Sequence, residues 1–394
     1  MMNSFIREKW FTIDSKLKYD LKVYSDVEKR KNEETTDIFV KKVNEYIKRK
    51  PRNKNDERLW ELEGEKIFED FIKNDRVFNL NYFTHDMQKS IIDVTKNFIK
   101  KAKEFDKDIE ENCIVQALRN IWVITILQVI FKSNVELTKS IFAYSMIYPY
   151  SDNFLDNIDI SVEAKNKFNN KISSMLKGRG VQCESYLEKK IYKLLKYIEE
   201  DYNRKDFKEV YEGLLKIQEG QIKSIEQQGE FSLPYVNDIL GISIEKGGAS
   251  VLVDGYLIKG KLNLEEEKFC LFYGFLLQLI DDFQDLKSDK KNNHTTIMSQ
   301  LGGRYYMDEM INKLINYVYY VFDSTELLRE KEDLNKVIKS DSLVLILCSI
   351  ALNKEYFSKE YIKKMDKHLP FSIAYIEKLN KTLVRKISKV EGVL

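Results

Sequence analysis

Asp281-Asp282-Phe283-Gln284-Asp285 ends an otherwise apolar stretch, Phe269 to Ile280. On a helix, Asp281 and Asp285 lie one turn apart on a shared face, with Asp282 beside Asp285 at i+3. Three carboxylates held this close repel, and neighbouring hydrocarbon raises the cost of ionising them, so a cation is their natural complement. Oxygen donors select a hard ion, and magnesium bridges one or two carboxylates to phosphate oxygens while keeping several waters. A solvated acidic helix end would carry the same five residues. Back along that face lie Gln278, Gly274 and Leu271, polar near the carboxylates and small one turn further.

A second constellation, Asp152-Asn153-Phe154-Leu155-Asp156, follows Ile141, Tyr144, Ser145 and Tyr148 at helical spacing, so both carboxylates continue the stripe of a largely apolar helix. Pro149 should kink that helix or mark its irregular end. Tyr148, one turn before Asp152, is the candidate aromatic contact to a substrate. The stripe Phe207, Tyr211, Leu214 turns to amides at Gln218, Gln221 and Gln228, which need partners at an exposed helix end or at a polar mouth. Arg119 interrupts an apolar stretch 33 residues before Asp152, where a diphosphate or a structural carboxylate would serve as its partner. Lys287, Lys290, Lys291, Arg304 and Asp289 form a charged rim after the second constellation, and His294 is given no role.

The elements that must position these groups are helices. With 15 Gly and 4 widely spaced Pro in 394 residues, long stretches lack helix breakers. Apolar periodicity predicts helices over 36–50, 57–74, 86–105, 110–131, 137–156, 185–202, 206–228, 248–258, 264–286, 307–328, 343–352, 358–367 and 372–389. The fold class is therefore all-α: one large antiparallel helical domain over 81–394, preceded by an N-terminal helical extension over 1–80. The 22 Phe and 23 Tyr supply a large core.

The run Leu277-Gln278-Leu279-Ile280-Asp281-Asp282-Phe283-Gln284-Asp285 resembles the second aspartate-rich motif of trans-prenyltransferases, F-Q-x-x-D-D-x-x-D, with Leu277 for Phe. Asp152 and Asp156 resemble the first motif, and the 125 positions from Asp156 to Asp281 suit the helices that separate the two. The resemblance, to the class I isoprenoid synthase superfamily, covers roughly 116–296. It implies a helical bundle around a central cavity, with three Mg2+ ions held between the motifs by Asp152, Asp156, Asp281 and Asp285, and with a prenyl diphosphate substrate. It also implies homodimerisation. Lys246 falls where prenyltransferases carry a Lys-Thr pair that touches diphosphate, Gly247 replacing Thr. Asn153 stands where chain-elongating members carry a second Asp, which makes D-x-x-x-D similar to that of squalene and phytoene synthases and of some terpene cyclases. The expectation is a terpene synthase that ionises a linear prenyl diphosphate and lets it cyclise or eliminate. The alternatives are a chain-elongating or head-to-head prenyltransferase and a non-catalytic partner subunit of a prenyl synthase.

The remaining composition narrows the field. The balance of 65 basic against 63 acidic residues offers no case for a nucleic-acid partner. Four single cysteines and three histidines suggest neither a disulfide framework nor a zinc site, in keeping with a cytoplasmic location. The longest apolar runs, 121–131 and 343–352, fall short of a transmembrane segment.

Overall fold

The structure, a computed structural model, describes residues 2–49, 51, 54–157, 159–228 and 237–391. The fold is all-α, with no β-strand among the described residues. In chain order the helices begin with α1 (Met2–Thr12), α2 (Asp26–Lys48), α3 (Lys54–Asn74), α4 (His85–Phe105), α5 (Glu111–Ile130), α6 (Lys139–Asp156), α7 (Val162–Leu176), α8 (Tyr186–Asp201) and α9 (Lys208–Ser224). They continue with α10 (Ile239–Lys259), α11 (Leu264–Gln284), α12 (Leu286–Lys291), α13 (Ile297–Leu301), α14 (Asp308–Asp323), α15 (Glu332–Leu352), α16 (Lys359–Asp366) and α17 (Ile373–Glu391).

The chain divides into two compact units, one built from Met1–Ile13, Asp86–Gln300 and Asp323–Arg329, the other from Asp14–His85, Leu301–Phe322 and Glu330–Leu394. The units part differently from an extension ending at residue 80. Helix α1 joins the first unit because Ile6 and Trp10, one turn apart, are buried, and Phe5 and Trp10 meet Phe272 and Phe275 of α11 edge-on. Most of the remaining N-terminal segment groups with the C-terminal helices. In that second unit, Lys29 donates to the carbonyl of Asp366 at 2.6 Å, Asn32 donates to that of Pro370 at 2.9 Å, and Phe39 stacks on Phe71.

The first unit carries both aspartate constellations, each on a helix packed antiparallel to a neighbour. The start of α5 lies beside the end of α6, where Asn153 donates to Cys113 Sγ at 3.4 Å. Helix α9 meets α10 at Gly213 against Val253 and at Gly220 against Lys246; α10 meets α11 at Gly255 against Cys270 and at Gly247 against Gly274. At this last crossing the backbones touch: a Cβ on Gly274 would lie 2.1 Å from the Gly247 carbonyl oxygen, so both positions need glycine. The Gly247-Gly248 pair thus sits inside α10, which begins at Ile239 rather than at 248.

Helix α5 corrects one expectation. It is long and apolar enough to cross a membrane by length and composition. About half of that window is buried, and Ile114, Ala117, Ile121, Ile124 and Leu127 lie in the first unit's core. Helix α7, outside the predicted segments, starts where Ser161 accepts the Ala164 N–H and buries Phe168, Ile172, Met175 and Leu176. The two recesses that stand out, of about 460 Å³ along α7 and about 240 Å³ between α2 and α3, are not lined by the aspartates where the resemblance places a central cavity.

Candidate functional site

Helix α6 runs through Pro149 to Asp156. Proline cannot donate to the carbonyl one turn earlier, and the last turns are braced by side chains instead. Ser151 Oγ donates to the carbonyl of Ile147 at 3.0 Å, and Tyr150 donates to buried Asp106 at 2.6 Å. Lys190 of α8 completes that brace, its Nζ 2.5 Å from the same Asp106 oxygen. Asp152 is thereby fixed in the interior, 5% exposed, where Gln221 Nε2 of α9 donates to its Oδ1 at 2.7 Å. Tyr148 is half-buried and Asn153 exposed. The side chain of Asp156 lies outside the described residues.

On α11, Asp281 is half-buried, Asp282 is 5% exposed and Asp285 reaches solvent. Gln278 Nε2 donates to Asp282 Oδ1 at 2.8 Å, while Asp282 Oδ2 is buried and has no hydrogen-bond partner among the protein atoms. Burial pushes the Asp282 carboxyl up to about 7, the charges of Asp281 and Asp289 add to the rise, and Lys246 and the Gln278 bond oppose it. Displaced water and the same two acids raise Asp285 to about 6, against the pull of Arg119 and His294. Arg119 is exposed on α5 rather than enclosed in the core, so its charge serves the acidic end of α11 from the surface.

The two constellations meet through a continuous set of contacts. Gln221, which holds Asp152, follows Gly220, whose missing side chain lets Lys246 of α10 come close; Gly247 in turn touches Gln278, the partner of Asp282. A second path is shorter. Gln228 donates to the carbonyl of Leu155, between Asp152 and Asp156, at 3.3 Å, and its backbone pairs with that of His294 beyond Asp285. Gln227 Nε2 and the Thr295 carbonyl, 2.9 Å apart, reinforce that pairing. Buried Lys165 of α7 donates to Gln228 Oε1 at 2.9 Å. The amides are therefore turned inward: Gln221 of α9 and Gln228, just beyond that helix, brace the first constellation, and Gln218 of α9 donates to buried Asn169 at 2.8 Å.

Sequence reasoning missed His294. Its Nδ1 lies 3.4 Å from Asp289 Oδ1, and its Nε2 is buried without a hydrogen-bond partner among the protein atoms. Asp289 is itself 9% exposed and accepts from Thr296 Oγ1 at 3.2 Å. The signal available was the spacing of Asp289 and His294 in a turn directly after the second constellation.

Hard carboxylate donors, a buried oxygen without a partner and two carboxyls raised toward neutral pH suit a divalent cation. Among the described residues, no three His, Cys, Asp or Glu side chains are assembled into a set that could hold a metal ion. Ligands for such an ion would have to be completed by Asp156 or by an anion that binds with it.

No family model matches the chain, and no curated protein matches it. A solved structure described as a crystal structure of geranylgeranyl pyrophosphate synthase is similar at 11% identity over 76% of this chain and 98% of that one, with a TM-score of 0.31. With a likeness that distant, the functional reading has to rest on the residues of the site.

Proposed function

We propose that this protein is a magnesium-dependent class I isoprenoid synthase of the terpene synthase type, which ionises a linear prenyl diphosphate and lets the cation cyclise or eliminate. What supports this reading is the link between the segments that carry the two aspartate sets: Gln228 bonds to the Leu155 carbonyl and pairs through its backbone with His294. Asp152, Asp156, Asp281 and Asp285 would hold the ions, with Asp282 behind them. Bound magnesium would supply Lewis-acid stabilisation of the departing diphosphate.

The chain's own groups do the rest. Gln221 fixes the rotamer of Asp152, and Gln278 does the same for Asp282, so the carboxylates need little reorganisation when ligand arrives. Lys246, Tyr148 and Arg119 would face the substrate, Lys246 as a point charge for phosphate. Asn153 is exposed and bonded to Cys113, which leaves the first set with fewer carboxylates than an elongating enzyme carries and favours reaction within one substrate.

The test is incubation of the purified protein with geranyl, farnesyl and geranylgeranyl diphosphates, with and without magnesium and isopentenyl diphosphate. Released pyrophosphate and hydrocarbon products are measured. Magnesium-dependent release without isopentenyl diphosphate is expected. Strict dependence on isopentenyl diphosphate would replace this reading by chain elongation, coupling of two substrate molecules by head-to-head transfer, and no turnover at all by a non-catalytic partner role.

A further inference from the structure

His294 stands out among the polar groups that the proposed chemistry leaves unused. It occupies the turn after α12, and that turn is pinned on both sides. The Thr295 N–H donates to the Gln227 carbonyl at 2.8 Å, the His294 N–H donates to the Asp289 carbonyl at 2.8 Å, and Ser299 Oγ donates to the His294 carbonyl at 2.8 Å. A backbone this fully bonded gives the imidazole a defined origin. The ring is then oriented by Asp289, whose Oδ1 faces Nδ1 and whose Oδ2 is held by Thr296.

What remains is Nε2, buried and without a protein partner. Buried ring nitrogens are normally satisfied, and one left open in a rigid frame is an unmet demand for a ligand atom. Its surroundings say which kind. Gln228, paired with His294 along the backbone, bonds to the Leu155 carbonyl between Asp152 and Asp156. The charge of His294 also reaches Asp285. The residue that carries the open nitrogen therefore belongs to the joint between the segment holding Asp152 and Asp156 and the turn that follows Asp285.

We propose that His294 is a diphosphate-binding residue, held through Nδ1 by Asp289 and donating Nε2–H to a phosphate oxygen between the two aspartate sets. Two acceptors on opposite sides of the ring, a carboxylate and a phosphate oxygen, would use both ring nitrogens as donors. This inference rests on the diphosphate reading of the site, since a different anion would not need both aspartate sets.

The experiment measures binding of inorganic pyrophosphate in magnesium to the full chain by calorimetry, together with thermal melting. His294→Asn places an amide nitrogen near the position of Nδ1 and so keeps the Asp289 contact while removing Nε2. His294→Gln places its amide nitrogen near Nε2 and gives up the Asp289 contact. The expected result is roughly tenfold weaker pyrophosphate binding in His294→Asn at a near-native melting temperature, and a smaller loss in His294→Gln. Asp289→Asn should weaken binding as well, without adding to the His294→Asn effect.

Unchanged affinity in His294→Asn, or loss of its cooperative melting transition, would assign the histidine to the fold and overturn the proposal while leaving the diphosphate reading intact. Absence of magnesium-dependent pyrophosphate binding by the unaltered protein would remove that reading, and this inference with it.

Discussion

Asp282→Asn is predicted to stabilise the metal-free protein at pH 8. Asp282 is almost fully buried and one of its oxygens has no partner, so ionising it forces an uncompensated charge into the interior. Its carboxyl titrates at about 7 in the folded chain against an ordinary 3.8. That gap, at roughly 1.4 kcal/mol per pH unit, corresponds to about 4 kcal/mol. The sign follows from proton binding: between about pH 4 and 7 the folded state keeps a proton that the unfolded chain has released. The group's contribution is therefore most favourable at low pH and falls as pH rises through this window. Above pH 7 the penalty is complete. Urea unfolding at pH 5 and pH 8 reads it directly: wild type should lose stability between these values by a few kcal/mol more than Asp282→Asn does. Magnesium with pyrophosphate should stabilise both proteins at pH 8, and the wild type by more, because a bound cation also offsets the buried charge that the variant lacks. Equal pH slopes in the two proteins, or a variant less stable than wild type at pH 8, would refute the reasoning.

Gln221→Leu should lower magnesium-dependent pyrophosphate release by tenfold or more with little change in fold, because it removes a hydrogen bond that orients Asp152; rate and circular dichroism together check this. Gly274→Ala should destabilise the first unit by about 3 kcal/mol, since the new Cβ meets the Gly247 carbonyl rather than a movable side chain; urea titration measures it. Lys190→Met should cost about 3 kcal/mol at neutral pH by leaving the buried Asp106 carboxylate without its cation, with only Tyr150 and the Asp108 N–H as partners. Although burial pushes the Asp106 carboxyl up, the Lys190 and Tyr150 bonds hold it below its ordinary value, so this deficit should shrink as pH falls below about 4.

The helices were legible where apolar residues recur over long uninterrupted stretches. Helix α11 is predicted at 264–286 and spans Leu264–Gln284; α5, predicted at 110–131, spans Glu111–Ile130. Helix α7 was not, because its Asn and Ser residues are weak helix formers and its stability comes from a capped start and four buried side chains. The first turns of α10 were hidden by Gly247-Gly248, which sequence alone reads as a breaker and tertiary packing uses as a contact. The grouping of α1 with α11 depends on aromatic contacts between residues more than 250 positions apart, which no local pattern encodes.

At the site, the carboxylates and the inward amides on and just after α9, which ends at Ser224 rather than at 228, could be named from spacing. Their division of labour could not: Gln218 serves Asn169, Gln221 serves Asp152, and Gln228 reaches both Leu155 and Lys165. Arg119 looked like a core charge because apolar residues flank it in sequence, yet it occupies the exposed face of α5. His294 was passed over because its importance comes from a long-range backbone pairing with Gln228.

The most direct measurement uses manganese as a paramagnetic substitute for magnesium and follows its binding by electron paramagnetic resonance with and without pyrophosphate. Ions shared between opposed carboxylates require both sets, so tight manganese binding should appear only with pyrophosphate and should vanish in Asp152→Asn and Asp281→Asn alike. Binding that persists in either variant, or that ignores pyrophosphate, would mean that the two acidic helix ends do not act on one ligand.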